Sequence, residues 1–270
     1  MKIILKIFIS IILILLIITT YLSTIGIETD RFNNQIKDKI KSIDEKTVIQ
    51  LKKIKLVLDP FKLKINIKTI GSKLINQNGT VEIENLKTKI SIKSLIENKF
   101  SIESLEISTK SLEVRNLISF LRSFRNSPEL FLLEKTIKNG YLIGDIKLEF
   151  DSNGNIKNNY EINGFLRDTR LSILKKYNLQ KLDLIFNYKK ENLLLSDISF
   201  TLNDLKFLSE NISLKKDKDD FSVSGEIKHK ELVFDKKNLD LFVKPFFSDI
   251  DFEKLRFSSK NRFSFKTNKK

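Results

Sequence analysis

The sequence predicts a mainly β protein in which an N-terminal transmembrane helix precedes a long curved antiparallel β-sheet or groove with two or three short helices. The first observation is an uncharged apolar stretch at residues 7–27. The second is an alternation of apolar and polar residues, as in "FKLKINIKTIG" at residues 61–71, which gives a strand one apolar and one charged face. The third is that such stretches recur roughly every 8–12 residues between turn signals, which is typical of an antiparallel meander.

The uncharged stretch is long enough to be a membrane anchor, because it would span about 31 Å as a helix. We expect the anchor to include Ile7, Ile14, Tyr21 and Ile27. Lys2 and Lys6 precede it, and Glu28 and Asp30 follow it. The positive-inside rule therefore predicts a cytoplasmic N-terminus and export of the rest of the chain.

A cleaved signal peptide is the alternative, although its apolar region is normally shorter and ends in an A-x-A-like site. Both interpretations place residues 28–270 outside the cytoplasm, and we predict a single-pass protein of a bacterial inner membrane with its bulk in the periplasm. The predicted organisation is a cytoplasmic stub and anchor at 1–27 and one β-rich domain at 28–270.

Helical spacing interrupts the alternation in two places. Residues 30–45 predict a short amphipathic helix just outside the membrane. A helical insertion is predicted at about 116–139, with Ser127-Pro128 as a helix start and Asn139-Gly140 as its end.

Two strands also change their apolar phase part-way along. The phase slips between Ile83 and Leu86, and again between Ile102 and Leu105. Such slips predict a β-bulge or corner in each strand.

The composition argues against several chemistries. The chain has no cysteine, so disulfides, thiolate catalysis and cysteine metal sites are excluded. Its single histidine, His229, cannot form a two-histidine metal motif and is expected to be a bystander. There is no Gly-rich phosphate loop or nucleophile elbow, so we expect no enzyme activity and no cofactor. The net charge of +15 comes mostly from dispersed lysines, which favours weak attraction to anionic lipid headgroups over nucleic-acid binding.

The apolar faces of the strands must be covered by something. Periodicity alone favours a β-sandwich, in which two sheets bury these faces against each other. The alternative is an open apolar groove that binds phospholipid acyl chains, since exposed apolar patches of this size mark binding sites. The predicted groove residues are Phe61, Leu63, Ile65, Ile67, Ile146, Leu148, Phe150, Leu182, Leu184 and Phe186.

Several segments follow one another in a recognisable order. A basic N-terminus, one apolar helix and "KLVLDPFKLKINIKTIGSKL" precede "GTVEIENLKTKISIKSLIENKFSIESLEIS" and "NYEINGFLRDTRLSIL". These segments resemble the AsmA-like superfamily, which includes TamB- and YhdP-type proteins. The resemblance implies an inner-membrane anchor, a periplasmic sheet that curls into a hydrophobic groove, and a role in phospholipid transport to the outer membrane or in the integrity of that membrane.

The main alternative function is an assembly factor for outer-membrane proteins, in which a sheet edge pairs with a strand of a client protein. A closed sandwich that serves as a structural or interaction domain also stays open. The expected partners are thus the inner membrane, phospholipid and an outer-membrane or periplasmic protein, and not a nucleic acid.

Overall fold

The computed structural model describes residues 2–30, 33–34, 37, 41, 45–97, 102–124, 127–173, 177–217, 220–247 and 252–268. Within these residues the predicted mainly β fold is confirmed, because 14 strands form one open antiparallel sheet accompanied by five helices. The described strands therefore make one sheet and not the two facing sheets of a sandwich. Most of the amphipathic helix predicted at 30–45 lies outside the described residues.

The five helices are α1 (Lys2–Thr24), α2 (Ile92–Ile96), α3 (Val114–Phe124), α4 (Pro128–Thr136) and α5 (Lys236–Phe242). The first seven strands are β1 (Ile27–Thr29), β2 (Val48–Gln50), β3 (Ile54–Asp59), β4 (Lys64–Asn76), β5 (Gly79–Ser91), β6 (Ile102–Thr109) and β7 (Leu112–Glu113). The other seven are β8 (Ile137–Glu149), β9 (Glu161–Ile173), β10 (Tyr177–Lys189), β11 (Asn192–Leu202), β12 (Leu205–Asp217), β13 (Asp220–Phe234) and β14 (Leu255–Asn268).

The strand order is β1-β3-β4-β5-β6-β8-β9-β10-β11-β12-β13-β14, while β2 pairs with β4 and β7 pairs with β8. The chain divides into two compact units. Unit 1 comprises Met1–Lys110 and Asp145–Tyr160, and unit 2 comprises Ser111–Gly144 and Glu161–Lys270. Strand β8 contributes its second part to unit 1 and its first part to unit 2.

Helix α1 is long and apolar enough to cross a membrane, and none of its apolar window is buried against the rest of the protein. Ile7, Ile14 and Tyr21 lie on it with exposed side chains. Ile27 was wrongly predicted to belong to the anchor, because it lies in β1 and pairs with Leu56. The helix stops earlier because Gly26 takes a positive φ of 75° and turns the chain onto β3.

The predicted phase slips are confirmed as irregularities in the pairing of β5 with β6. The register shifts between Ile83 and Asn85, and again between Lys89 and Ile90, opposite the slip in β6. Comparable shifts interrupt the pairing of β9 with β10, of β10 with β11, of β12 with β13 and of β13 with β14. In several strands a non-glycine residue with positive φ lies at this point: Asp168, Lys181, Asp197 and Glu231. One extra residue returns the apolar side chains to the same face.

Buried residues of unit 2 concentrate at these slips and just beyond them. Thr169, Leu184, Ile198, Ser209 and His229 are all less than 9% exposed. Beyond the slips, helices cover part of the apolar face of unit 2, whereas no described helix covers the other half of β9 to β14.

Helices α3 and α4 form the first of these covers. Val114 and Ile118 pack with Ile137 of β8, and partly buried Leu166 and Leu171 of β9 join the cluster. Ser127 accepts a hydrogen bond from the backbone N–H of Leu130 and caps α4, as predicted. The predicted end at Asn139-Gly140 was wrong, since α4 ends at Thr136 and both residues lie in β8.

Helix α5 forms the second cover. Its Leu239 packs on buried Leu205, Leu232 and Phe234, with several partly buried phenylalanines around them. His229 lies beside this cluster at 5% exposure, edge-on to the rings of Phe207 and Phe257. Its Nε2 shares a hydrogen bond with the hydroxyl of Ser259, whereas Nδ1 has no partner among the described residues.

Acid is expected to destabilise unit 2 through His229. Burial lowers the pKa of this imidazole, so its neutral form stabilises the fold above the ordinary histidine pKa of about 6.5, and that stability is lost as the pH falls below it. Thermal unfolding of the full chain in detergent micelles should show a melting temperature that declines between pH 7.5 and 5.5. The steepest slope for one proton is about 1.4 kcal/mol per pH unit.

The control is His229→Gln, which removes the only histidine in the chain. Its melting temperature should be lower at neutral pH but nearly flat across the same range. An equal slope in both proteins would contradict a role for the imidazole.

Candidate functional site

The apolar face of unit 1 is continuous across five strands. Directly opposed residues on antiparallel strands point to the same side of the sheet, and the register joins Leu58, Ile65, Ile90 and Ile102 in one row. A second row runs through Leu56, Ile67, Thr88, Leu105 and Leu148. Ile107 and Ile146 extend the same face. We call these half-buried residues strip 1.

Strip 1 contains four of the predicted groove residues: Ile65, Ile67, Ile146 and Leu148. Phe150 follows Leu148 directly after the end of β8, half-buried and bridged to Ile156. Alternation along β8 therefore predicted correctly that Ile146 and Leu148 lie on the same face of the sheet as Ile65 and Ile67 of β4.

Phe61 and Leu63 were wrongly predicted to continue this face. Phe61 is 98% exposed in the hairpin turn, and β4 begins only at Lys64. The side-chain Oδ1 of Asp59 accepts the backbone N–H of Lys62 at 3.1 Å, which fixes a turn, and Leu63 leaves it with φ of 50°. The turn thus takes both residues out of the strand phase.

Unit 2 has a matching surface on the half of its strands that no described helix covers. One row joins Ile162, Tyr188, Leu193, Leu214, Val223 and Phe265. The next row joins Gly164, Phe186, Leu195, Ile212, Gly225 and Phe263. We call these twelve residues strip 2. It crosses six strands without a charged side chain.

The three groove residues predicted in β10 have different positions. Phe186 lies in strip 2, whereas Leu184 is 8% exposed in the buried zone at the slips. Leu182 pairs with buried Thr169, closer to the helix-covered half. Of these three residues, only Phe186 belongs to an apolar strip that no described helix covers.

Two glycines of strip 2 each lie under a phenylalanine ring of the next strand. A Cβ added to Gly164 would lie 2.6 Å from the Phe186 ring, and one added to Gly225 would lie 3.0 Å from the Phe263 ring and 2.9 Å from Ile212. Both rings therefore lie close over backbone, which keeps the apolar surface low at these points. Their significance was missed in the sequence because the pairing partner of a glycine is not visible there.

The opposite face of each unit is polar, and several of its charges form ion pairs. In unit 1, Lys64 pairs with Glu103 at 2.6 Å. In unit 2, burial raises the pKa of Glu226, but hydrogen bonds from Lys228, Arg262 and Lys260 outweigh it and lower the pKa to about 2. Among the described residues, no three His, Asp or Glu side chains come together as metal ligands.

One part of the polar face of unit 1 differs from this pattern. Lys55, Lys68 and Lys87 are directly opposed on β3, β4 and β5, and we call them the lysine row. A cavity of about 810 Å³ lies over them, and its charged lining is Glu28, Lys52, Lys53, Lys55, Lys68, Lys87, Lys89 and Glu106. The sequence showed only that these lysines take the outward phase, and not that three of them are neighbours.

Comparisons of the chain with protein-family models, with curated proteins and with solved structures found no match. The resemblance to the AsmA-like superfamily therefore stays a prediction. What can be said about function depends on the chemistry of the two faces of the sheet.

Gly225→Val should destabilise unit 2 by about 1–3 kcal/mol, because the new side chain collides with Ile212 and the Phe263 ring. The matched control is the neighbouring Ser224→Val on the polar face, where the change should stay within about 0.5 kcal/mol. Chemical unfolding of the full chain in detergent measures both. Equal effects would contradict the close packing of the ring on Gly225.

Lys68→Thr should stabilise unit 1 by about 0.2–1 kcal/mol, because it removes the middle charge of three directly opposed ones. Lys189→Thr is the control with the same change in strand propensity, since Lys189 pairs with Glu161 at 3.3 Å. This control should show no such gain in melting temperature. A gain in both variants would mean that propensity and not repulsion is responsible.

Proposed function

We propose that this chain is a membrane-anchored lipid-binding protein whose apolar strips hold phospholipid acyl chains. In this proposal α1 spans the inner membrane of a bacterium, the N-terminus is cytoplasmic, and the sheet is periplasmic. The protein then takes part in phospholipid transport to the outer membrane or in the integrity of that membrane. The observation that carries the proposal is strip 2, an apolar surface across six strands that no described helix covers.

The chemistry of the strips favours an acyl chain as the occupant. The described side chains of strip 2 are aliphatic or aromatic, apart from one tyrosine hydroxyl, so they provide little for a polar ligand to bind. An apolar surface gains about 0.8 kcal/mol for each methylene group that it removes from water. Strip 1 offers the same kind of surface in unit 1, with the threonine hydroxyl of Thr88 as its polar group.

The anchor supports the same proposal from the other end of the chain. Helix α1 has exposed apolar side chains throughout, which suits a lipid environment and not a protein core. Lys2 and Lys6 before the apolar stretch favour a cytoplasmic N-terminus. An anchored protein with apolar strips has phospholipid available where its chain leaves the bilayer.

A photo-crosslinking pair in β11 tests acyl-chain binding directly. A photoreactive amino acid replaces Leu195 in strip 2 or the adjacent Leu194, which lies on the polar face with 39% exposure. The full chain is irradiated in membranes of a Gram-negative host grown with radiolabelled phosphate. A phospholipid adduct should form at position 195 and stay at background at position 194.

Charge substitution gives an independent measurement on the same residues. Leu195→Asp should remove copurifying phospholipid, because a carboxylate on the strip must be desolvated when a chain binds, whereas Leu194→Asp should leave it unchanged. Adducts of equal strength at both positions, or lipid retention that survives Leu195→Asp, would contradict the proposal.

The edge strand β14 favours a second candidate function. It is a 14-residue strand, and β13 is its only neighbour among the described strands. An unpaired edge of this length is a template for a strand of another protein, as an assembly factor requires. That function predicts protein adducts from a photoreactive residue in β14 and no lipid adduct at Leu195.

A further inference from the structure

The lysine row is an unusual arrangement on the polar face of unit 1. Neighbouring strands lie about 4.8 Å apart, so three successive lysines on β3, β4 and β5 bring like charges close together. Like charges that are directly opposed oppose strand pairing. Glu28 precedes the row on β1 and Glu106 follows it on β6.

Neither glutamate neutralises the row. Glu28 forms its ion pair with Lys53 at 3.8 Å, and Glu106 forms its ion pair with Lys89 at 3.9 Å. No described acidic side chain lies within ion-pair distance of the lysine row. On the same face, by contrast, Glu82 alone pairs with two lysines. The lysine row is therefore a site with positive charge to spare, beneath a cavity of about 810 Å³.

The cavity lies close to the end of the apolar helix α1. Glu28, which lines it, follows the last residue of α1 by four positions. Between them, Gly26 turns the chain so closely onto β3 that an added Cβ would collide with the carbonyl oxygen of Leu56. Lys55 is the neighbour of Leu56, so the row begins where the apolar helix ends.

We propose that the lysine row binds the phosphate groups of anionic phospholipids in the leaflet where α1 ends. Lysine ammonium groups are compact charges that suit phosphodiesters, and their attraction to a membrane acts only within a Debye length of its surface. The row meets that condition because it lies next to the end of α1. Of the proposed function, this inference depends only on the membrane anchor and does not depend on the acyl-binding strips.

Native mass spectrometry of the full chain, released from detergent micelles, tests the headgroup site. The probes are dioleoyl phosphatidylglycerol and dioleoyl phosphatidylcholine, which share their acyl chains and differ in net charge. The wild-type chain should retain phosphatidylglycerol in preference to phosphatidylcholine, and this preference should weaken as the salt concentration is raised. The triple variant Lys55→Gln, Lys68→Gln, Lys87→Gln should retain the two lipids in a ratio of roughly one.

The matched control removes three exposed lysines from unit 2, as Lys206→Gln, Lys215→Gln and Lys230→Gln, and should keep the wild-type preference. Lys68→Thr alone should give an intermediate ratio, and it guards against misfolding of the triple variant. If the wild type and the triple variant bind phosphatidylcholine equally, the acyl-binding site is separate from the lysine row. Phosphatidylglycerol bound without any phosphatidylcholine would contradict the acyl-binding strips and still support the lysine row.

Three results would overturn the inference. The first is a wild-type chain without preference for phosphatidylglycerol, and the second is a triple variant that keeps the preference. The third is displacement of phosphatidylglycerol by an equal concentration of inorganic phosphate, which would assign the cavity to a soluble anion.

Discussion

Directly opposed residues on neighbouring antiparallel strands hold their side chains on the same side of the sheet, and both surfaces of this protein follow from that constraint. It gathers isolated apolar residues of β9 to β14 into strip 2 and three separate lysines into the lysine row. The slips keep the apolar residues together. One extra residue in the strand places the apolar side chains before and after the slip on the same face. Without its slip, β13 would present Val223 and Leu232 on opposite faces of the sheet.

Alternation alone was enough to predict much of the fold and part of the site. It identified the strands, the slips in β5 and β6, and the shared face of Ile65, Ile67, Ile146 and Leu148. These features are local, and a side-chain period of two reports them directly. The same rule failed at Phe61 and Leu63, where an aspartate-capped turn determines the direction of the backbone.

Pairing between strands explains what the sequence could not reveal. The prediction did not separate Phe186 from Leu184 because both share one phase, whereas Leu184 lies beside a register shift in the pairing of β9 with β10 and is buried. The partners of Gly164 and Gly225 depend on register, as does the meeting of Lys55, Lys68 and Lys87. Register is a property of two strands, so one strand read by itself does not contain it.

The order of the strands in the sheet has a consequence for how the protein is made. From β8 to β14 each strand pairs with the one that precedes it in the chain, and the same holds from β3 to β6. Where the loops between partners are short, as they are from β9 to β13, closure is fast and contact order is low. As the chain is synthesised, each of these strands therefore finds its partner already in place, and assembly can proceed in the direction of synthesis. Each unit can add one strand at a time, and the width of its apolar surface grows with every addition.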